Sequence, residues 1–336
     1  MRLRQESMRR IISVASLVIM MLIFGLTNSS FFAMDNILNI LRECAVSGMI
    51  AIGVTFVIIT AGIDLSTGAI VGFCGMVCAN LMYYYNLPAI LIMLIAVLLG
   101  TACGLLNGFI VTKLRVPEFI GTLSTQYLFR SMVFVFAIRE MGVITNKKID
   151  DPTILLMGGS ISGVYLVTIV FFLMAVLGQI ILKKTKLGTY IYATGANRKS
   201  AELSGIPTER IRLIVFVITG FLCGLASIFT MGRIGSVTTD LGTGLEFEII
   251  AAVVVGGCAF SGGRGDVFGS VVGAIFMAVL QNGILKYNLP TAAQLVIKGL
   301  VIVAMIIFDS VYNKMVQKKI LQKAREEEEQ RIAGGE

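Results

Sequence analysis

The 336-residue chain contains no histidine, no tryptophan, only five prolines and little charge. Each shortage excludes something. A soluble domain carries about 25% charged residues, whereas this chain sets 14% charged against 56% hydrophobic residues. That balance excludes a water-soluble globule and indicates an integral membrane protein. Without histidine, the usual general base and the commonest metal ligand are both missing. The six cysteines (44, 74, 78, 103, 223 and 258) fall inside or at the edges of apolar runs. They read as small packing residues, not as a disulfide framework. Cys74 and Cys78 share a helix face at i, i+4, yet two thiols without histidine make a poor metal site. No G-x-x-x-x-G-K-[ST] phosphate loop occurs, so neither ATP hydrolysis by this chain nor a bound cofactor is expected.

What is present is a succession of apolar runs. Membrane barrel strands alternate over about ten residues, and these runs continue far longer without alternation, so they read as helices. Ten spans are predicted, near 11–27, 44–60, 68–85, 89–112, 118–138, 162–182, 213–231, 247–261, 268–285 and 291–309. The expected fold is all-α, a polytopic membrane helical bundle. Residues 1–312 form its transmembrane part and 313–336 a charged, solvated tail. Residues 1–27 imitate a secretory signal, but no A-x-A-like cleavage site follows, so an uncleaved first span is expected. Pro88, Pro117 and Pro290 open spans, where a missing N–H costs nothing, while Pro152 and Pro207 lie in loops.

Charge gives the orientation. With the N-terminus inside, the inner segments hold 20 Lys and Arg: four before the first span, Lys113 and Arg115, seven in 183–212, Arg264, and six after the last span. The outer segments hold six, namely Arg42, Arg139, Lys147, Lys148, Arg233 and Lys286. Such an excess places both termini in the cytoplasm. The net charge of +8 then belongs to the inner leaflet and not to a nucleic-acid partner.

Glycine is abundant and ordered. "GAIVG" (68–72), "GTACGLLNG" (100–108), "GFLCG" (220–224) and "GSVVG" (269–273) repeat the spacing that lets helix backbones approach closely. Packing within one bundle and dimer-forming faces both suit that spacing. Gly62, Gly68 and Gly72 also recur 201 residues later as Gly263, Gly269 and Gly273, as in a molecule built from two related halves.

Two stretches interrupt the apolar pattern on the inner side. In "VIITAGIDLSTGAIVGF" (57–73), Gly62 breaks one helix, and Ser66 or Thr67 can cap the next by accepting from its free N–H groups. Asp64 sits beside that positive helix end. The joint therefore reads as structural capping, as a gate or solute-pathway contact, or as an ion site. In "KKTKLGTYIYATGANRKSAELSGIPTERIR" (183–212), Asn197 is a good N-cap, Glu202 lies in the following turns and Gly205 is a natural C-cap. A helix of two turns is too short to persist alone; it needs either the lipid headgroups or a docked protein. Elsewhere, Asp35 reads as the cap of a helix lying along the outer interface. Glu246 and Glu248 stand at the mouth of the eighth span. Asn107, Gln281 and Asn282 are further groups a polar solute could meet, and Arg130 either pairs with an acid or snorkels.

Five segments together resemble a known family: "GIDLSTGA", "KTKLGTYIYATGANRKSAELSGI", "GLEFEIIAAVVVGG", "GGRGDVFGSVVGA" and "QNGIL". They look like the permease subunits of bacterial carbohydrate ABC importers of the ribose, xylose, arabinose and galactose branch. The resemblance runs from about Phe31 to Asp309. It implies a multi-pass protein of the bacterial cytoplasmic membrane that carries a monosaccharide without a catalytic site of its own. It also implies a cytoplasmic ATPase, an extracytoplasmic sugar-binding protein and a second permease copy or paralogue. Gly195, Asn197, Arg198, Lys199, Ser200, Ala201, Glu202 and Gly205 match the family's ATPase-facing loop. Gly62, Asp64, Leu65, Ser66 and Gly68 match its inner motif, which this chain varies by placing Ala61 where a second glycine is common. A permease for another small polar solute, such as a nucleoside, and an ion-coupled transporter are the alternatives. The latter would need several acids at mid-depth.

The charge count generates a test of topology. Single cysteines introduced at Ser7 and at Gln322 should resist a membrane-impermeant maleimide applied to intact cells; efficient labelling at either position overturns the orientation.

Overall fold

The computed structural model describes residues 2–139, 142–143, 146–287 and 289–301, with positions 303, 304, 307, 311 and 315 beyond them. Helices dominate: α1 (Arg2–Thr27), α2 (Met34–Ile59), α3 (Thr67–Tyr85), α4 (Ala89–Thr112), α5 (Glu118–Ala137), α6 (Pro152–Met157), α7 (Leu166–Lys184), α8 (Lys186–Ala196), α9 (Arg198–Leu203), α10 (Thr208–Ile234), α11 (Leu245–Val255) and α12 (Val267–Leu285). The strands are short antiparallel pairs: β1 (Ile138–Arg139) with β2 (Gly142–Val143), β3 (Asn146–Lys148) with β6 (Ser236–Thr238), and β4 (Ser160–Ile161) with β5 (Val164–Tyr165). The chain divides into two units, Met1–Tyr287 and Asn288–Glu336. In the second unit Thr291–Val301 is an apolar helix; most of the expected tail lies outside the described residues.

Among the described residues, six helices are long and apolar enough to cross a membrane: α2, α3, α4, α7, α10 and α12. The apolar part of α1, Ile11–Thr27, is shorter. The expected eighth span, 247–261, is the helix α11, whose 11 residues cover only about 16 Å, half a bilayer. The outer interfacial helix expected at 29–43 does not stand apart, because α2 runs unbroken from Met34 and Asp35 lies within its first turn. Its N-cap is Ala33, which makes no side-chain cap bond.

The core is built around α2, which is buried on all sides from Cys44 to Ile59, as an all-round apolar helix should be. Around it stand α7, α10, α11 and α12. Within that buried stretch Thr55 makes a polar contact across the interior, its hydroxyl lying 2.6 Å from that of Ser270 on α12. All six cysteines are buried and unlinked.

Glycine sets the helix separations. Gly100 and Gly104 of α4 meet Gly220 and Gly224 of α10, so that a Cβ on Gly220 would strike the Gly100 carbonyl and the Gly104 backbone. The "GTACG" and "GFLCG" faces thus meet each other inside one bundle. On α12, Gly269 and Gly273 receive the Gly256 and Ala252 carbonyls of the α11 end. Gly220→Leu should therefore separate α4 from α10 and destabilise the bundle by about 3 kcal/mol, at the upper end of ordinary overpacking because backbone cannot yield. Thermal unfolding in detergent checks it; an unchanged midpoint contradicts the close approach.

Candidate functional site

The joint between α2 and α3 is built from its backbone upward. Helix α2 ends in a Schellman motif: the Ala61 N–H donates to the Ile58 carbonyl and the Gly62 N–H to the Val57 carbonyl, both at 2.9 Å. The left-handed residue is Ala61, at φ 64°, and not Gly62. Gly62 is required for another reason, since a Cβ there would strike the Glu118 carboxylate of α5.

The expected hydroxyl cap is corrected. Ser66 occupies the N-cap position of α3 but makes no side-chain cap bond. Its hydroxyl turns back to donate to Asp64 Oδ1 at 2.6 Å, and its backbone N–H donates to the same oxygen at 2.9 Å. Asn107 of α4 donates its amide to the Ser66 hydroxyl at 2.6 Å. A two-residue Asx turn centred on the carboxylate thus replaces the serine cap, because Asp64 can serve both donors at once. Asp64 is 1% exposed, and its burial pushes the carboxyl above the usual range despite the Ser66 hydrogen bonds. Among the described residues, Asp64 Oδ2, Thr67 Oγ1 and Asn107 Oδ1 have no hydrogen-bond partner.

A second irregular stretch, 239–244, reaches the same place. The Leu241 and Gly242 carbonyls abut Gly72 and Gly68 of α3, where a Cβ would strike them. Glu246, in the first turn of α11, is 3% exposed and no solvated charge. Its Oε1 accepts from Gln126 at 2.8 Å, while Oε2 stands unpaired next to Gly68. Arg130 donates to the Leu241 carbonyl at 2.8 Å and to the Thr239 carbonyl at 3.3 Å. It therefore holds backbone and does not snorkel.

Both stretches hang from one face of α5. Glu118 accepts from the Ile63 N–H at 3.2 Å, and Thr122 accepts from the Leu65 N–H at 3.2 Å. With Gln126 and Arg130 they make a stripe at four-residue intervals. Sequence reading missed Glu118, Thr122 and Gln126; the signal was the i, i+4 spacing of four polar residues in a span. Asp64, Ser66, Gly68, Asn107 and Glu246 are thus brought together about the first turn of α3. Three other candidates are not. Asn282 exchanges two 3.1 Å amide bonds with Asn36 at the opposite end of α2, and its neighbour Gln281 goes with it. Glu248 is half-buried on α11.

The 183–212 loop forms the end of α7, α8, α9 and the start of α10. Asn197 caps α9, accepting from the Ser200 N–H at 3.0 Å. Gly205 at φ 81° closes it in a second Schellman motif, with the Ile206 N–H on the Ala201 carbonyl at 3.0 Å. Glu202 accepts from Arg198 at 3.0 Å and from the Thr208 hydroxyl at 2.5 Å. The Thr208 hydroxyl, then Arg198, hold its carboxyl below the usual range. Two expected docking residues face inward. Gly195 is buried where a Cβ would strike the Ile59 carbonyl, and Ala201 is 5% exposed. The outward residues are Arg198, Lys199, Ser200, Glu202 and Leu203.

The family described as "branched-chain amino acid transport system / permease component" matches residues 36–306. The chain belongs to this permease family. It is 36% identical over 300 residues to the ribose import permease protein of Haemophilus influenzae, covering 89% of this chain and 92% of that one. It is 34% identical over 299 residues to the D-allose transport system permease protein of Escherichia coli, covering 89% and 90%. To the xylose transport system permease protein of Haemophilus influenzae it is 28% identical over 371 residues, covering 93% and 99%. No solved structure matches it. The permease is a multi-pass membrane protein.

The Asp64 geometry sets a test on the permease. Asp64→Asn keeps an acceptor for both Ser66 donors and resembles the neutral acid, so folding and uptake should stay near wild type. Asp64→Leu strands two buried donors at about 1–3 kcal/mol each and should lower the inserted, folded fraction severalfold. Fluorescence-detected size exclusion separates the two; equal behaviour denies the joint its role.

Proposed function

We propose that the chain is the membrane subunit of an ATP-binding cassette importer that moves a monosaccharide across the bacterial cytoplasmic membrane. What carries this reading is that relatives aligned over about nine-tenths of both chains are named for ribose and allose. The bundle supports it. Acids are scarce in the spans, and the buried Asp64 and Asp266 hold joints together. A gate worked by another subunit needs two arrangements of packed helices and no catalytic residue. ATP hydrolysis is therefore the work of a separate cytoplasmic ATPase. An extracytoplasmic binding protein delivers the sugar, and a second copy or paralogue of the permease completes the pathway. The ten-span topology with both ends inside belongs to the same reading, as does a solute contact at Asn107 and Glu246. Uptake of labelled ribose, xylose and allose by vesicles tests it: transport that persists without the ATPase but collapses with the ion gradient overturns it.

The ATPase docks at α9 in this reading. The helix has six residues, too few to persist without support, and it turns Leu203 outward at 83% exposure. An apolar side chain so exposed on the most basic inner loop suits the centre of a protein contact, with Arg198 and Lys199 at its rim. Burying a leucine is worth about 1.5–3 kcal/mol, so Leu203→Asp should weaken ATPase binding about tenfold or more. Reversing Arg198 and Lys199 should mainly slow association. Co-purification of the ATPase measures both. Unchanged binding in Leu203→Asp assigns α9 to the lipid surface. Ala201 is a poor probe, because its side chain packs on its own chain.

A further inference from the structure

One ion pair lies between the inner loop and the α2–α3 joint. Arg212 of α10 pairs with Glu118 of α5, with side chains only 10% and 13% exposed. The other inner-face pairs differ: Lys113 and Glu209 stand 3.8 Å apart at 56% and 37% exposure, too solvated to hold a position. On one side of the buried pair, Arg212 lies one helical turn beyond Thr208, whose hydroxyl grips Glu202 of α9. On the other, Glu118 receives the Ile63 N–H and lies where Gly62 lacks a Cβ. Thr122, one turn along, receives the Leu65 N–H. Side-chain and backbone bonds thus run without a gap from α9, through the first turns of α10 and α5, to Ile63, next to Asp64.

We propose that Glu118 and Arg212 are positioning residues of transport, a buried clamp that moves the Gly62–Gly68 joint whenever α9 and the start of α10 move. The inference rests on docking of an ATPase at α9, but it assigns these two residues a task other than docking. Neither side chain belongs to α9 and both are largely buried; each lies within electrostatic range of an exposed α9 residue, Glu118 of Arg198 and Arg212 of Glu202, so co-purification is read beside transport. A buried pair suits transmission because breaking it is costly, so its two ends shift together. Removing both charges at once leaves no stranded ion, and glutamine at position 118 keeps an acceptor for the Ile63 N–H.

The test uses the assembled transporter, permease with ATPase, in proteoliposomes supplied with binding protein and sugar. Glu118→Gln/Arg212→Met should retain ATPase co-purification and hydrolysis while sugar moved per ATP falls at least tenfold. Wild-type sugar per ATP in that variant overturns the clamp. Loss of co-purification overturns it too, by making the pair part of docking. Should the double variant not insert, Arg212→Lys carries the test. It keeps the charge but not the planar fork, so sugar per ATP should fall about threefold with the ATPase bound; no fall overturns the proposal. Failure of the docking reading looks different, since Leu203→Asp would then leave ATPase binding unchanged.

Discussion

A backbone N–H or C=O that leaves a helix inside a bilayer finds no water, and each such group left unpaired costs several kcal/mol. Where this chain departs from helix inside the bundle, protein groups meet the departing backbone. The joint after α2 turns its own N–H groups onto the last helical carbonyls, then passes Ile63 and Leu65 to Glu118 and Thr122. The stretch before α11 gives two carbonyls to Arg130. One face of α5 therefore does for two broken segments what water does in a soluble protein. This also explains why α5 is absent from the helices apolar enough to span by composition: its polar stripe is turned inward, toward the backbone it serves.

Close approach is the second requirement, and glycine meets it. Carbonyls of 241–242 reach α3 only because Gly68 and Gly72 have no Cβ, and those of α11 reach α12 only through Gly269 and Gly273. The two glycine sets separated by 201 residues thus do the same work on two helices. Their joints adjoin, with the Gly263 N–H on the Ile59 carbonyl at 2.8 Å. Gly195 completes the contact by admitting that carbonyl. Glycine positions that resembled a docking motif or a repeat are, in the folded chain, one packed junction.

The starts of some helices were legible because hydropathy and proline act locally: those of α3, α4 and α12 fall within one residue of the expected ones, while those of α2, α7 and α10 do not. Also legible were Asn197 and Gly205, whose cap roles depend on neighbours within a turn. What needed tertiary partners was not legible. Whether Ser66 caps α3 or bonds Asp64 depends on Asn107, 41 residues away. Glu246 reads as solvated or buried according to where Gln126 stands, 120 residues away. Ala201 sits among exposed neighbours in sequence, and only the packing of α9 on α8 and α10 turns it inward. The stripe on α5 was present as a spacing, but polar residues in a span point equally to a solute pathway or to a broken backbone until the backbone is seen.

Ala61 shows how firmly the joint is held. A non-glycine residue in the left-handed region costs about 1–2 kcal/mol. This chain makes the turn with alanine at φ 64°, because the surrounding bonds leave no alternative. The Thr60 hydroxyl donates to the Val57 carbonyl at 2.7 Å, the Schellman bonds close the helix, and Asp64 fixes the next turn. A turn so over-determined is a rigid corner and not a hinge. Motion of α2 against α3 then has to occur where the corner meets other helices, through side chains that can slide or re-pair. The Asn107 contact with Ser66 is of that kind, whereas Glu118 and Thr122 tie the corner to α5, so the freedom a transporter needs lies in the side chains around the corner and not in its backbone.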